Sequence, residues 1–296
     1  MIEVAVLGAG GVGGLVAAAL ARAGADPLLI AREPTAELIA ARGVAVRSAV
    51  FGDFVAHPQV ASVLTEPVAV LVVATKAWEL ADALERIATD PDLVVPLLNG
   101  LDHLALLRAR FGGERVCAGV IRVESDRPAP GEIVQTSPAC RIDLASARPR
   151  VQRAADLLRG AGIEVRTGAS EAQVMWSKLA RLAPLALTTS AYDESIGEVR
   201  DDPQRREALE LAVAETVAVA NAAGAGLNGA DTLAELFGAP AGLGSSMRRD
   251  LAAGRAPELD AIAGAVLRAG ARFGVACPTV ALLADRVAAR AGLPCR

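Results

Sequence analysis

The sequence predicts an α/β domain with a parallel sheet over residues 1–168 and an all-helical domain over 169–296. Three observations carry that reading. Short apolar runs alternate with amphipathic segments through the first half, and strand–helix–strand at this spacing implies parallel pairing with right-handed crossovers. A glycine cluster, Gly8-Ala9-Gly10-Gly11-Val12-Gly13, falls directly between the first apolar run and the first amphipathic one. Strand signals then stop near Ser170, and helical periodicity takes over.

In chain order the predicted strands are Glu3–Leu7, Pro27–Ala31, Val44–Ser48, Val68–Ala74 and Leu93–Leu97. Helical patterns at Gly11–Ala23, Thr35–Ala41 and Glu79–Ile87 lie between them. From Val116 to Leu144 the β-rich pieces "GEIVQT" and "CRIDLA" are broken by Pro128, Pro130 and Pro138, and read as later strands of the sheet with long connections. Helix Val151–Arg159 and strand Ile163–Arg166 close this half. The second half reads as helices at Ala172–Leu187, Pro203–Ala223, Ala230–Leu236, Glu258–Phe273 and Thr279–Ala289. Asp202-Pro203 supplies an N-cap side chain and a proline at the first helical position. The expected design is two domains with a cleft between them.

Composition narrows the function classes. Hydrophobic residues make up 53% of the 296, but aromatics only 3%, so the core is built from Ala, Val and Leu. A net charge of -4 leaves no basic excess to neutralise phosphates and argues against a nucleic-acid partner. The cysteines, Cys117, Cys140, Cys277 and Cys295, have no metal-ligand or CxxC spacing and read as reduced thiols of a cytoplasmic protein. Two histidines, His57 and His103, are too few for a metal site. The first residues, "MIEVAVLGAGG", carry an acid and glycines where a signal peptide would be basic and apolar. No run of about 20 apolar residues lacks charges, so no membrane span is expected.

The glycine cluster has the strand–turn–helix context of a dinucleotide-binding Rossmann fold. Gly8 permits the tight turn, Gly10 lets the backbone approach a pyrophosphate, and Gly13 lets helix and strand pack closely. The helix N-terminus adds free N–H groups and positive dipole. An NAD site wants an acid at the end of the second strand. Here "LLIAREP" puts Ala31 and Arg32 there, which suits the 2′-phosphate of NADPH, with Glu33 adjacent.

Lysine is scarce. Of 30 basic residues only Lys76 and Lys178 are lysines. Lys76 follows strand "VLVVAT" and Asn99 ends "PLLNG", both at the carboxyl edge where ligands of an open parallel sheet lie. Asn-Gly is equally a common turn. Lys178, among Trp176, Leu179, Leu182 and Leu185, reads either as a proton donor, a role closed to arginine, or as a snorkelling surface lysine. Glu258 opens a predicted helix, where the dipole alone favours an acid. Ser246 precedes it in "SSMRRDLAAGRAPELD".

These pieces, "VLGAGGVGG", "LLIAR", "VVATKAWE", "LLNGLDH", "MWSKLA", "SSMRRDLAAGRAPELDAIAGAVLRAG" and "GVACPT", resemble the ketopantoate reductase (2-dehydropantoate 2-reductase) family over essentially the whole chain. The resemblance implies a cytoplasmic oxidoreductase of pantothenate biosynthesis. Its Rossmann domain binds NADPH/NADP, its helical domain has 6-phosphogluconate dehydrogenase-like architecture, and it reduces a 2-keto acid, with a homodimer plausible. It implies that Lys178 is catalytic with Glu258, and that Asn99 and Ser246 contact substrate. It also implies that Gly8, Ala9, Gly10, Gly11, Val12, Gly13, Arg32, Lys76 and Asn99 contact the cofactor, with no metal.

The chain departs from that family at three positions. Leu182, Ala186 and Ile196 stand where well-known members carry substrate-binding asparagines. Each buried polar partner left unpaired would cost about 1–3 kcal/mol. The alternatives are therefore a reductase of a more apolar keto acid, with Arg181 either a carboxylate contact or solvent-facing, and a non-catalytic NADP(H)-binding sensor. A related NAD-dependent β-hydroxyacid dehydrogenase is disfavoured by Arg32 and the Ser246–Glu258 segment.

Overall fold

The computed structural model describes residues 2–294. Cys295, one of the four cysteines, lies outside the described residues. The chain divides into two compact units. One runs to Leu98 and resumes over Asp102–Glu171; the other comprises Asn99–Leu101 and the chain from Ala172 onward.

The first unit runs β1 (Ile2–Leu7), α1 (Gly11–Arg22), β2 (Leu28–Ile30), α2 (Glu33–Arg42), β3 (Val44–Ser48), β4 (Phe54–Ala56), β5 (Gln59–Ala61), β6 (Val68–Val73), α3 (Leu80–Leu84) and β7 (Leu93–Pro96). After the excursion at 99–101 come α4 (His103–Phe111), β8 (Gly119–Arg122), β9 (Ser125–Ala129), β10 (Glu132–Gln135), β11 (Arg141–Ala145), α5 (Pro149–Gly160) and β12 (Glu164–Ala169). A parallel sheet in the order β5-β2-β1-β6-β7 forms its centre. Its middle strands are apolar at nearly every position, as strands covered on both faces must be; Val4–Leu7 and Leu71–Val73 are all but fully buried. Helix α1 is buried from Gly13 to Leu20, because Ala and Gly let it lie close against the strands.

The proline-broken segment does not extend that sheet. β10 pairs parallel with β3 and antiparallel with β9, giving a separate four-stranded sheet β4-β3-β10-β9. β8, β11 and β12 form a third, three-stranded sheet. The expectation of later strands in one sheet is thus corrected. Pro128 falls within β9, at the edge of its sheet, where a missing N–H costs no ladder bond.

The second unit is helical: α6 (Glu171–Tyr192), α7 (Ile196–Asp201), α8 (Pro203–Ala222), α9 (Gly229–Phe237), α10 (Ser246–Ala252), α11 (Ala265–Phe273) and α12 (Pro278–Arg290). α6 is its spine and feeds two cores. Trp176, Leu179, Ala183 and Ala186 enter one, Ala180 and Leu185 the other. A helix apolar nearly all round is a buried one, and its two threonine hydroxyls are satisfied within it: Thr188 donates to the Pro184 carbonyl at 2.7 Å and Thr189 to that of Leu185 at 2.6 Å. Asp202 caps α8 as its sequence predicts, accepting from the Gln204 and Arg205 amides. α12 is capped by a neighbour instead: Glu215 of α8 accepts from the Thr279 and Val280 amides at 2.8 and 2.9 Å. That places negative charge at the positive end of α12. At the other end of α6, Asp193 has φ +59° and accepts from Arg248 at 3.1 Å and Arg290 at 2.8 Å. No helix among the described residues is long and apolar enough to cross a membrane.

Candidate functional site

In the first unit the glycine loop has the backbone its sequence calls for. Gly8 sits at φ +107°, where an added Cβ would lie 2.8 Å from the Ala74 carbonyl oxygen. At Gly13 the same atom would fall 1.9 Å from the Gly8 carbonyl, so the turn and helix pack too closely for any side chain. Gly10, by contrast, faces open space. It is the N-cap residue of α1 and brings no side-chain acceptor to the first-turn N–H groups. These donors, and the room beside Gly10, suit an anion at the helix N-terminus. The Thr75 hydroxyl, beside this turn, is buried with no hydrogen-bond partner among the described residues. The loop therefore fits a dinucleotide pyrophosphate on its own geometry.

Arg32 follows β2, and its guanidinium donates to Glu79 Oε1 at 2.6 Å. Lys76, beyond β6, lies 5.6 Å from the centre of the half-exposed Trp78 ring. Trp78 and Glu79 belong to one 3₁₀ turn, Ala77–Glu79.

In the second unit three of the singled-out residues come together. Lys178 Nζ donates to Asn99 Oδ1 at 2.8 Å, and Asn99 Nδ2 donates to Glu258 Oε2 at 3.0 Å. An ammonium only donates and a carboxylate only accepts, so only this orientation of the amide satisfies both neighbours. Glu258 is 5% exposed, and a carboxylate so buried needs hydrogen-bonded partners; the Asn99 amide is one of them. Lys178 itself is half-buried on α6.

Sequence reasoning passed over Gly100, reading Asn-Gly as a turn. Gly100 has φ +84°, and an added Cβ would lie 2.2 Å from the carbonyl oxygen of Ala261. Ala261 belongs to a π-helical segment, Asp260–Gly264, where Glu258–Phe273 was expected as one regular helix. Such segments often mark functional sites. The glycine lets the 99–101 turn press on this backbone and so sets the Asn99 amide against Glu258. The Asn-Gly pair was the available signal.

Ser246 is half-buried as the first residue of α10 and is not hydrogen-bonded to Lys178, Asn99 or Glu258. Its neighbour Ser245 caps that helix and shares a buried 3.0 Å hydrogen bond with Thr189 of α6. Arg181 Nε lies 3.6 Å from Glu235 of α9, so a carboxylate of this chain already faces it. Of the three departures, Ala186 and Ile196 are fully buried in the two cores and only Leu182 is partly exposed. Among the described residues no cluster of His, Cys, Asp and Glu has the makings of a metal site.

Residues 4–148 match the family model described as "Ketopantoate reductase PanE/ApbA", and residues 172–291 match "Ketopantoate reductase PanE/ApbA C terminal". A 2-dehydropantoate 2-reductase of Mycobacterium tuberculosis is 29% identical, with 98% of each chain covered. The crystal structure of a 2-dehydropantoate 2-reductase from Geobacter metallireducens superposes with a TM-score of 0.87 at 27% identity, covering 96% of this chain and 98% of that one. D-mandelate dehydrogenase, solved with NADH and anilino(oxo)acetate, shares the fold at a TM-score of 0.88 and 20% identity, with 98% of each chain covered.

Proposed function

The chain belongs to the ketopantoate reductase family and is an oxidoreductase acting on CH–OH groups with a nicotinamide dinucleotide; from that premise we propose that it reduces a 2-keto acid with an apolar side chain to the 2-hydroxy acid, using NADPH. The observation that supports this reading best is the Lys178–Asn99–Glu258 chain of hydrogen bonds, which holds one of the two lysines of an otherwise arginine-based protein.

The residues divide the work. Gly8–Gly13 and the first turn of α1 would hold the pyrophosphate, and Arg32 and Lys76 would serve the 2′-phosphate. A nicotinamide dinucleotide held there would supply the hydride for the carbonyl carbon. Lys178 donates a hydrogen bond to the carbonyl oxygen and then the proton that completes the alcohol. Stabilising charge as it develops on that oxygen is the largest expected contribution, and proton donation adds about 10²–10⁴-fold. Asn99 fixes the lysine's direction and Glu258 fixes Asn99. Ser246, at the start of α10, contacts the substrate.

Leu182, one turn beyond Lys178, presents hydrocarbon where an amide would serve a hydroxylated substrate. Ala186 and Ile196 are buried in the two apolar cores and bring no polar group there. The same fold in D-mandelate dehydrogenase makes an aryl keto acid a useful member of a substrate panel. The test follows NADPH absorbance with ketopantoate, 2-ketoisovalerate and phenylglyoxylate, for the wild type and Lys178→Ala. The apolar acids should give the higher kcat/KM, and the variant should keep NADPH binding but lose at least about 10²-fold in turnover. Ketopantoate as the best substrate would overturn the apolar assignment; NADPH binding without turnover of any panel member would leave a binding protein.

A further inference from the structure

We infer that Glu79 sets the cofactor preference by competing with the ribose 2′-phosphate for Arg32, so that this chain discriminates weakly between NADPH and NADH. The inference rests on the nucleotide-binding reading above and concerns a residue to which that reading gives no role.

The sheet order puts β2 and β6 on either side of β1, whose last residue Leu7 is in register with Ile30 and with Val73. Arg32 leaves β2 two residues beyond Ile30, and Glu79 leaves β6 six residues beyond Val73. Their 2.6 Å ion pair therefore joins the two strands flanking the glycine turn. An NAD-type site carries its acid at the end of the second strand. Here that position is Ala31, followed by a base, and the acid arrives from the far side of β1 instead. The Glu79 carboxylate occupies the Arg32 Nη2, a guanidinium donor of the kind a 2′-phosphate uses. A 2′-phosphate must share the guanidinium with it or displace it, and lies beside its charge either way, whereas a ribose hydroxyl meets no such repulsion and can donate to that carboxylate.

The pair is open to solvent, with the Arg32 side chain 68% and that of Glu79 38% exposed, so screening keeps the effect modest. The experiment titrates full-length wild type, Glu79→Gln, Arg32→Ala and the double variant with NADPH and NADH, reading Kd by nucleotide fluorescence in 0.15 M salt. Glu79→Gln should tighten NADPH about 3- to 10-fold and leave NADH unchanged or weaker, and the gain should shrink at high salt. In the Arg32→Ala background most of that gain should vanish. A Glu79→Gln protein whose NADPH-to-NADH ratio stays within about 2-fold of wild type overturns the inference. So does an undiminished gain without Arg32, which would assign Glu79 a purely through-space role. Wild type that binds neither nucleotide overturns the proposed function along with it, whereas binding of both without a selective response to Glu79→Gln overturns the inference alone.

Discussion

Gly100→Ala tests whether the 99–101 turn positions the lysine. The added methyl would sit 2.2 Å from the Ala261 carbonyl oxygen, a backbone atom. Relief requires a shift of about 1 Å by either the turn or the π-helical segment. The residue is also held at φ +84°, which costs an L side chain about 1–2 kcal/mol, and overpacking adds about 1–3 kcal/mol. Whichever side yields, the Asn99 amide moves relative to Glu258 and Lys178. A misplacement of about 1 Å at reacting groups costs about 10²-fold. Steady-state assays should therefore show kcat down about 10²-fold, with the NADPH Kd within 2-fold and Tm lowered by several degrees. A variant with the clash confirmed by its lowered Tm but kcat within 3-fold of wild type would refute the claim that this turn fixes the lysine.

Two further outcomes follow from buried and paired ionisable groups. The hydrogen bond from Arg248, helped by Arg290, holds the Asp193 carboxyl below the usual carboxylate range. Its stabilisation is present above about pH 4 and is lost as pH falls through the lowered value. Asp193→Asn, which keeps the left-handed backbone accessible, should be less stable than wild type to urea at pH 7, with the difference shrinking as the pH falls through the lowered value. Burial pushes the Cys117 thiol up to about 11 and that of Cys140 up to about 12. Peptide mapping after iodoacetamide at pH 8 should find both unmodified in the native protein and modified in urea, because only the thiolate reacts; rapid native labelling of either would contradict their burial.

The sequence announced the glycine loop because three local requirements coincide there: a tight turn, an open approach and a close packing contact. The central strands were equally plain, since Val4–Leu7 and Val70–Val73 are continuous apolar runs. Hidden features were those whose partner is distant. β10 owes its parallel pairing to β3, 87 residues earlier in register, and nothing local in "GEIVQT" says so. β4 and β5 are three residues each, too short for periodicity to register. α7 was missed although Ser195-Ile196-Gly197-Glu198 spells a capping box, which the structure forms in full. At the site, the chemistry of Lys178, Asn99 and Glu258 was legible by type, but their meeting depends on a turn pressed against a π-helical backbone. The ion pair at Arg32 was illegible, because Glu79 reaches it from across the first strand.

The two lysines have a practical consequence. Each compact unit carries a single ε-amine: Lys76, set against Trp78, in the nucleotide-binding unit, and Lys178, bonded to Asn99, in the helical one. Reductive methylation thus yields only two ε-amine positions to resolve, and isotope-labelled methyl groups would give one NMR reporter per unit. One would report on the surroundings of Trp78 and the other on the bond to Asn99, without a single engineered substitution.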